Sequence, residues 1–188
     1  MRQVLAEHRE LLLAEGWTHV LRGLGYSLSD PHLRDTPGRV ARFLHEWHTN
    51  GSEPPKMTVF PSAGCDEVVA MGGIRFYSLC AHHGLPFSGT AAVGYLPGKS
   101  IVGLSKLARV VDHFSRRFQV QERLTRDIAD YLGRSLKPRG VGVVLRAEHY
   151  CMSMRGIQKP GHFTVTSEMR GVFRRKPEAR AELLSLVG

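Results

Sequence analysis

Ser105-Lys106-Leu107-Ala108-Arg109-Val110-Val111-Asp112-His113-Phe114-Ser115-Arg116-Arg117, followed almost at once by Gln119-Val120-Gln121-Glu122-Arg123-Leu124-Thr125 and its continuation to Leu136, decides the fold class. In the first stretch Leu107, Val110, Val111 and Phe114 recur at three- and four-residue spacing. Val120, Leu124, Ile128, Leu132 and Leu136 do so in the second. That period draws one apolar stripe along each of two consecutive helices, and Pro138-Arg139-Gly140 stops the second. On either side the period shortens to that of strands. Residues 57–60, 67–71, 74–80 and 89–96 read as strands before the helix pair, with Gly72-Gly73 as a turn. After it, residues 141–150 form a strand whose odd positions Val141, Val143, Leu145, Ala147 and His149, with Cys151, share one face. Residues 163–173 form a last strand or strand pair, and Pro177 opens a terminal helix through Leu186. Strands, a helix pair, then strands predict an α+β fold: an antiparallel sheet with helices on one face.

Upstream, Val4, Leu5, Leu12, Leu13, Trp17, Val20, Leu21 and Leu24 follow helical spacing, and Gly23 and Gly25 end that helix. A second helix begins at Thr36-Pro37, with Thr36 as N-cap and Pro37 in the first position. Val40, Phe43, Leu44 and Trp47 form its apolar face. Asn50-Gly51-Ser52-Glu53-Pro54-Pro55 reads as a linker, which divides the chain into an N-terminal helical region, 1–55, and a main domain, 56–188.

A chain of 188 residues buries a core without disulfides. Its apolar runs are too short to span a bilayer, and its N-terminus has no signal-peptide core, so a cytoplasmic protein without membrane contact is expected. Three cysteines, Cys65, Cys80 and Cys151, fit a reducing compartment and leave thiols for metal binding or catalysis. The net charge of +9 invites an anionic partner: nucleic acid, nucleotide phosphate or acidic lipid.

The chemistry concentrates in Cys80-Ala81-His82-His83 and His149-Tyr150-Cys151. Cys80 and His83 have the Cys-x2-His spacing that lets one turn present both side chains to a metal. With Cys151 they make two thiolates and an imidazole, the set of a zinc site that keeps a position open. His82 and His149 then remain for general acid–base work. The competing reading of any one of these residues is a buried core thiol or a satisfied histidine. On the first helix Lys106, Arg109, His113, Arg116 and Arg117 form a basic face, and Ser105 sits at the helix start, where free N–H groups and the dipole favour an anion. A solvated face is the other reading, and the better one for Arg116 and Arg117. No aromatic residues interleave the stripe, which argues against a nucleic-acid groove. Glu122 reads first as a helix-capping acid, and second as an acceptor for two donors of a guanine.

Four stretches together, Phe76 to His83, Val102 to Arg109, Gln119 to Thr125 and His149 to Gly156, closely resemble GTP cyclohydrolase I, and Thr164-Val165-Thr166-Ser167 and the terminal helix agree in order. The resemblance implies the tunnelling fold, a four-stranded antiparallel sheet packed on two antiparallel helices with N-terminal helices added. It implies homodecamers whose active sites lie at subunit interfaces. It implies opening of the GTP imidazole ring, release of C8 as formate, and formation of 7,8-dihydroneopterin triphosphate. It assigns Zn2+ to Cys80, His83 and Cys151, and acid–base roles to His82 and His149. Glu122 and Gln121 would hold the guanine; Ser105, Lys106, Arg109 and Arg155 would hold ribose and triphosphate, with Arg39 reaching the phosphates from a neighbouring subunit.

Phe118 and Phe163 stand where the family has other residues, and either could reshape the pocket rim, but one departure from the family pattern matters most. Cys-Glu-His-His is usual, and here the second residue is Ala81. A carboxylate beside a ligand orients it, and losing such a partner costs about 10–100-fold in affinity or activity. Ala81 therefore motivates a second reading, a divergent enzyme with another substrate or one arrested at the ring-opened formamide. A third reading is a non-catalytic nucleotide-binding relative.

Overall fold

In the computed structural model, residues 2–49 and 53–188 are described. They fall into two units, Met1–Ser52 and Glu53–Gly188. Asn50, Gly51 and Ser52, the first half of the expected linker, lie outside the described residues, as do the side chains of Val4 and Leu5.

The first unit is a helix pair, α1 (Arg2–Gly23) and α2 (Thr36–Thr49). The apolar stripe expected on α1 is only partly used: Leu21 is buried, while Leu12, Val20 and Leu24 are exposed. α2 buries Pro37 and Ala41, and Phe43 rests against Trp47 with ring centroids 5.6 Å apart. The expected cap moves back by one residue. Asp35 O accepts the first helical bond from Arg39 N, and the Thr36 hydroxyl donates backwards to His32 O.

The second unit runs β1 (Val59–Pro61), β2 (Val69–Cys80), β3 (Pro86–Leu96), β4 (Ser100–Val102), α3 (Leu104–Ser115), β5 (Phe118–Gln119), α4 (Gln121–Leu136), β6 (Gly140–His149), α5 (Tyr150–Ser153), β7 (Thr164–Gly171), α6 (Val172–Arg175) and α7 (Pro177–Val187). The sheet order is β5-β2-β3-β6-β7. Its four long strands are antiparallel, as the tunnelling fold requires, and β5 adds a two-residue parallel edge beside Leu79 and Cys80. β1 and β4 form a separate small ribbon.

Two expectations change here. Gly72-Gly73 is not a turn between strands but a bulge within one strand: the register with β3 shifts between Met71 and Ile74, and Gly73 takes φ +68, which suits a residue without Cβ. Cys151 does not end a strand. β6 stops at His149, and Cys151 lies in the first turn of α5.

The inward face of the sheet, with Phe76, Phe87, Val93, Tyr95, Val141, Val143 and Leu145, packs on Leu107, Val110 and Val111 of α3 and on Leu124, Ile128 and Leu132 of α4. This is the helix-on-sheet core that the two periodicities demand. His113, placed by its spacing on the basic face of α3, is instead buried and lies edge-on to Phe114. The opposite sheet face is partly covered by α7. Leu183 drops onto Gly94 and Gly142, where a Cβ would come within 2.3 and 2.1 Å of its methyl carbons. Burying that leucine with Leu96, Met169 and Phe173 contributes about 1.5–3 kcal/mol.

Polar ties fix α4 to β7. Thr125 and Thr166 hydroxyls lie 2.6 Å apart, and the Arg170 guanidinium meets Asp130 at 3.0 Å.

Candidate active site

The site is built where β2 ends and α4 begins. Cys80 N donates to Leu85 O at 2.8 Å, and Cys80 O accepts from Gly84 N at 2.8 Å, so residues 80–85 form a closed turn. Gly84, at φ +68, lets the chain reverse there. Ala81 N donates to Gln119 O at 3.0 Å, which pins the turn to β5 and brings the start of α4 beside Cys80. Cys80 itself is buried, whereas Ala81, His82 and His83 are exposed on the turn.

Ligand-capable atoms converge at this point. Cys80, His149 and Cys151 each offer one within 4.8 Å of the others, a possible Cys-His-Cys metal site. His83 Nδ1 lies 3.7 Å from Cys80 Sγ, and His82 Nδ1 lies 4.0 Å from it. Burial pushes the Cys151 thiol up, and the neighbouring Cys80 adds to the effect, so the Cys151 sulfur does not ionise easily without a cation beside it. Three imidazoles thus stand within reach of two thiols.

The three differ in how they are held. His149 stacks flat on the buried ring of Phe87, with centroids 4.6 Å apart and planes 2° from parallel. Its Nε2 lies 2.8 Å from Gln121 Oε1. Burial lowers its pKa, and the Glu122 carboxylate opposes that shift. His82 and His83 face one another edge-on at 6.2 Å on their exposed turn.

Gln121, expected to touch substrate, is 1% exposed. Its Nε2 lies near Leu145 O, Thr164 O and Thr166 Oγ1 at 3.3, 3.1 and 3.1 Å, so both ends of its amide are engaged inside the protein. Glu122, one residue on, is exposed in the first turn of α4. Arg155 follows α5 closely enough to act on the Cys151 thiol.

The end of α3 leads into β5 and so toward Cys80; at 1.5 Å of rise per residue Ser105 lies about 15 Å, and Arg109 about 9 Å, back along the helix from Ser115. Arg39 lies on α2 in the first unit, paired with Asp35 at 3.4 Å.

Residues that spacing did not single out also shape the site. Phe87 supplies the floor for His149, and its inward position at a strand start was the available signal. Glu148 accepts from Ser153 Oγ at 2.6 Å and from Gly161 N at 3.2 Å, which ties the loop after α5 back to β6. These two bonds hold its carboxyl below the usual range. Phe118 and Phe163 are exposed, and Phe163 lies under the Arg146 guanidinium at 4.3 Å.

Comparison with known proteins identifies the family. The family model described as GTP cyclohydrolase I matches residues 13–188. The chain is 50% identical over 167 residues to GTP cyclohydrolase 1 of Aquifex aeolicus, covering 89% of this chain and 90% of that one. It is 49% identical over 171 residues to that of Synechococcus sp. (strain JA-3-3Ab), covering 89% and 75%. It is 45% identical over 179 residues to that of Rattus norvegicus, covering 93% and 74%. Among solved structures, archaeosine synthase QueF-Like in the apo form aligns at TM-score 0.43 and 16% identity over 63% of this chain and 97% of that one, too distant to carry an argument. No helix among the described residues is long and apolar enough to cross a membrane. With the family model spanning the helix pair, the sheet and both cysteine segments, the chain belongs to the GTP cyclohydrolase I family.

Proposed function

We propose that this chain hydrolyses the imidazole ring of GTP, releasing C8 as formate and yielding 7,8-dihydroneopterin triphosphate. The observation that carries the reading is the convergence of two thiols and three imidazoles where β2, α4 and β6 meet. Two soft donors and an imidazole suit zinc. Bonds of about 2.3 Å to sulfur and 2.05 Å to nitrogen set tetrahedral donors about 3.6 Å apart, and Cys80 Sγ to His83 Nδ1 is 3.7 Å. Cys80, His83 and Cys151 would hold the ion. When bound, it supplies a Lewis acid that lets hydrolysis run at neutral pH.

The remaining groups belong to the chain. His82, exposed beside the ligands, is placed to give a proton to the purine N7, which makes C8 electrophilic. His149, on the rigid side, handles a second proton near the ribose. Glu122, exposed at the start of α4, accepts from the guanine N1–H and amino group. Arg155 neutralises charge beside Cys151.

Ser105, Lys106 and Arg109, in the first half of α3, serve the triphosphate from a second copy. The distance along α3 supports sites at interfaces within a homo-oligomer, a decamer in our reading, with Arg39 reaching the phosphates of a neighbour. GTP is the partner, without nucleic acid or membrane, and the cytoplasm is its compartment.

The test is GTP turnover by purified protein with and without added zinc, following formate and pterin together, beside Ala81→Glu. Zinc-dependent release of both is expected. An N-formyl product without formate would replace this reading with arrest at ring opening. Inactivity of both proteins, with no zinc bound, would replace it with a nucleotide-binding relative.

A further inference from the structure

The amide of Gln121 can take only one orientation. Leu145 O and Thr164 O, at 3.3 and 3.1 Å, are backbone carbonyls and can only accept. The amide nitrogen must face them, because an oxygen there would meet two acceptors with no proton between. The hydroxyls close the circuit. Thr125 Oγ1 donates to Gln121 O at 2.7 Å and so spends its one proton. Thr166 Oγ1, 2.6 Å from Thr125 Oγ1, must then donate to it, and accepts from Gln121 Nε2 at 3.1 Å. Gln121 and Thr125 are each 1% exposed, so water does not compete for these bonds.

With the nitrogen committed, Oε1 is left facing His149 Nε2 at 2.8 Å. An amide oxygen only accepts, so that ring nitrogen must carry a hydrogen. Phe87, flat against the ring at 4.6 Å, opposes any tilt that would offer the other nitrogen instead.

We propose that Gln121, held by Leu145, Thr164, Thr166 and Thr125, is a positioning residue that keeps a proton on His149 Nε2 and leaves Nδ1 as the nitrogen that exchanges protons with substrate. The role of Nδ1 rests on the hydrolase reading above; the placement of the Nε2 proton does not. Gln121 thus acts through His149 and does not touch the guanine. Its neighbour Glu122, exposed on the next position of the helix, is left to do that. Adjacent residues at a helix start point in different directions, so one serves the interior and one the ligand.

The experiment has two readouts. In protein labelled with 15N-histidine, long-range proton–nitrogen spectra report which nitrogen of His149 is protonated, with the signal assigned by its absence in His149→Asn. Nε2 protonation is expected in the unmodified chain, and its loss to a mixture of tautomers in Gln121→Leu. Thr166→Val, a smaller change, is expected to weaken the preference. A proton on Nδ1 with none on Nε2 in the unmodified chain overturns the proposal, whether or not Gln121→Leu folds. In GTP turnover, Gln121→Leu is expected to lower kcat about 10–100-fold with KM unchanged. A raised KM with kcat intact would overturn the proposal in favour of a guanine contact. If no GTP is turned over, the spectra still decide the proton's position while the hydrolase reading fails separately.

Discussion

His149 and the His82–His83 pair stand around the same two thiols and are held in opposite ways. His149 sits at the end of a ten-residue strand, flat on a buried phenylalanine and hydrogen-bonded to a buried amide. His82 and His83 hang from an exposed turn closed by backbone bonds, with their rings near the Cys80 sulfur. The contrast teaches that one side of the site is set by the core and the other by a turn, so the same loss of function should arrive with different costs in stability. The rigid side holds a proton in a fixed place. The turn can adjust to a metal or a substrate.

The sharpest way to break the comparison is to remove the ligands. Cys80→Ala, Cys151→Ala and His83→Ala are expected to lose bound zinc and reduce turnover to background, read by metal analysis and product release. His149→Ala should keep its zinc. Zinc lost from His149→Ala but kept by His83→Ala would instead make His149 the third ligand and move it to the metal side.

The histidines themselves come next. His82→Ala and His149→Ala are each expected to lower kcat by about 10²–10⁴-fold, the usual worth of a positioned proton carrier. Their thermal denaturation should differ. His149→Ala strips the partner from buried Gln121 Oε1 and costs about 1–3 kcal/mol, whereas His82→Ala leaves Tm unchanged. Equal Tm values for the two would erase the distinction drawn here.

A control on the far sheet face is smaller in activity and comparable in stability. Gly142→Ala puts a methyl within 2.1 Å of Leu183 and should cost about 1–3 kcal/mol by overpacking. Turnover well below the melting range should remain.

The smallest effect concerns acid. Glu148 ionises below the ordinary range because Ser153 and Gly161 donate to its carboxylate. A depressed carboxyl contributes stability that is present above its ordinary pKa and lost as pH falls through the lowered value. The loop between α5 and β7 is therefore expected to loosen in acid. The Gly161 amide resonance should shift with pH there in the unmodified protein and stay flat in Glu148→Gln.

Much of this was legible in the chain itself. Periods of 3.6 and 2 locate α3, α4 and the long strands because burial on one face leaves that imprint. Cys80, His83 and Cys151 stand out by residue type and spacing, and the structure brings Cys80 and Cys151 together with His149. Gly72-Gly73 misleads because the same dipeptide serves a turn or a bulge, and only the partner strand's register tells which. His113 misleads because a periodic basic face does not record which of its members a neighbouring core takes in. Gln121 is the instructive case. Beside Glu122 it reads as a ligand contact, and its true surroundings come from β6 and β7, far along the chain, which no local pattern encodes.

Phe87 is wholly buried, edge-on to Phe76 on one side and face-on to His149 on the other. One residue is thus both ballast for the fold and a machined surface for a working ring. An engineer who repacks this core for heat resistance, choosing Phe87→Leu because a branched aliphatic fills much of the same space, would be guided by melting curves alone. Those curves would report a sound protein, while the ring above had lost the plane that kept it level.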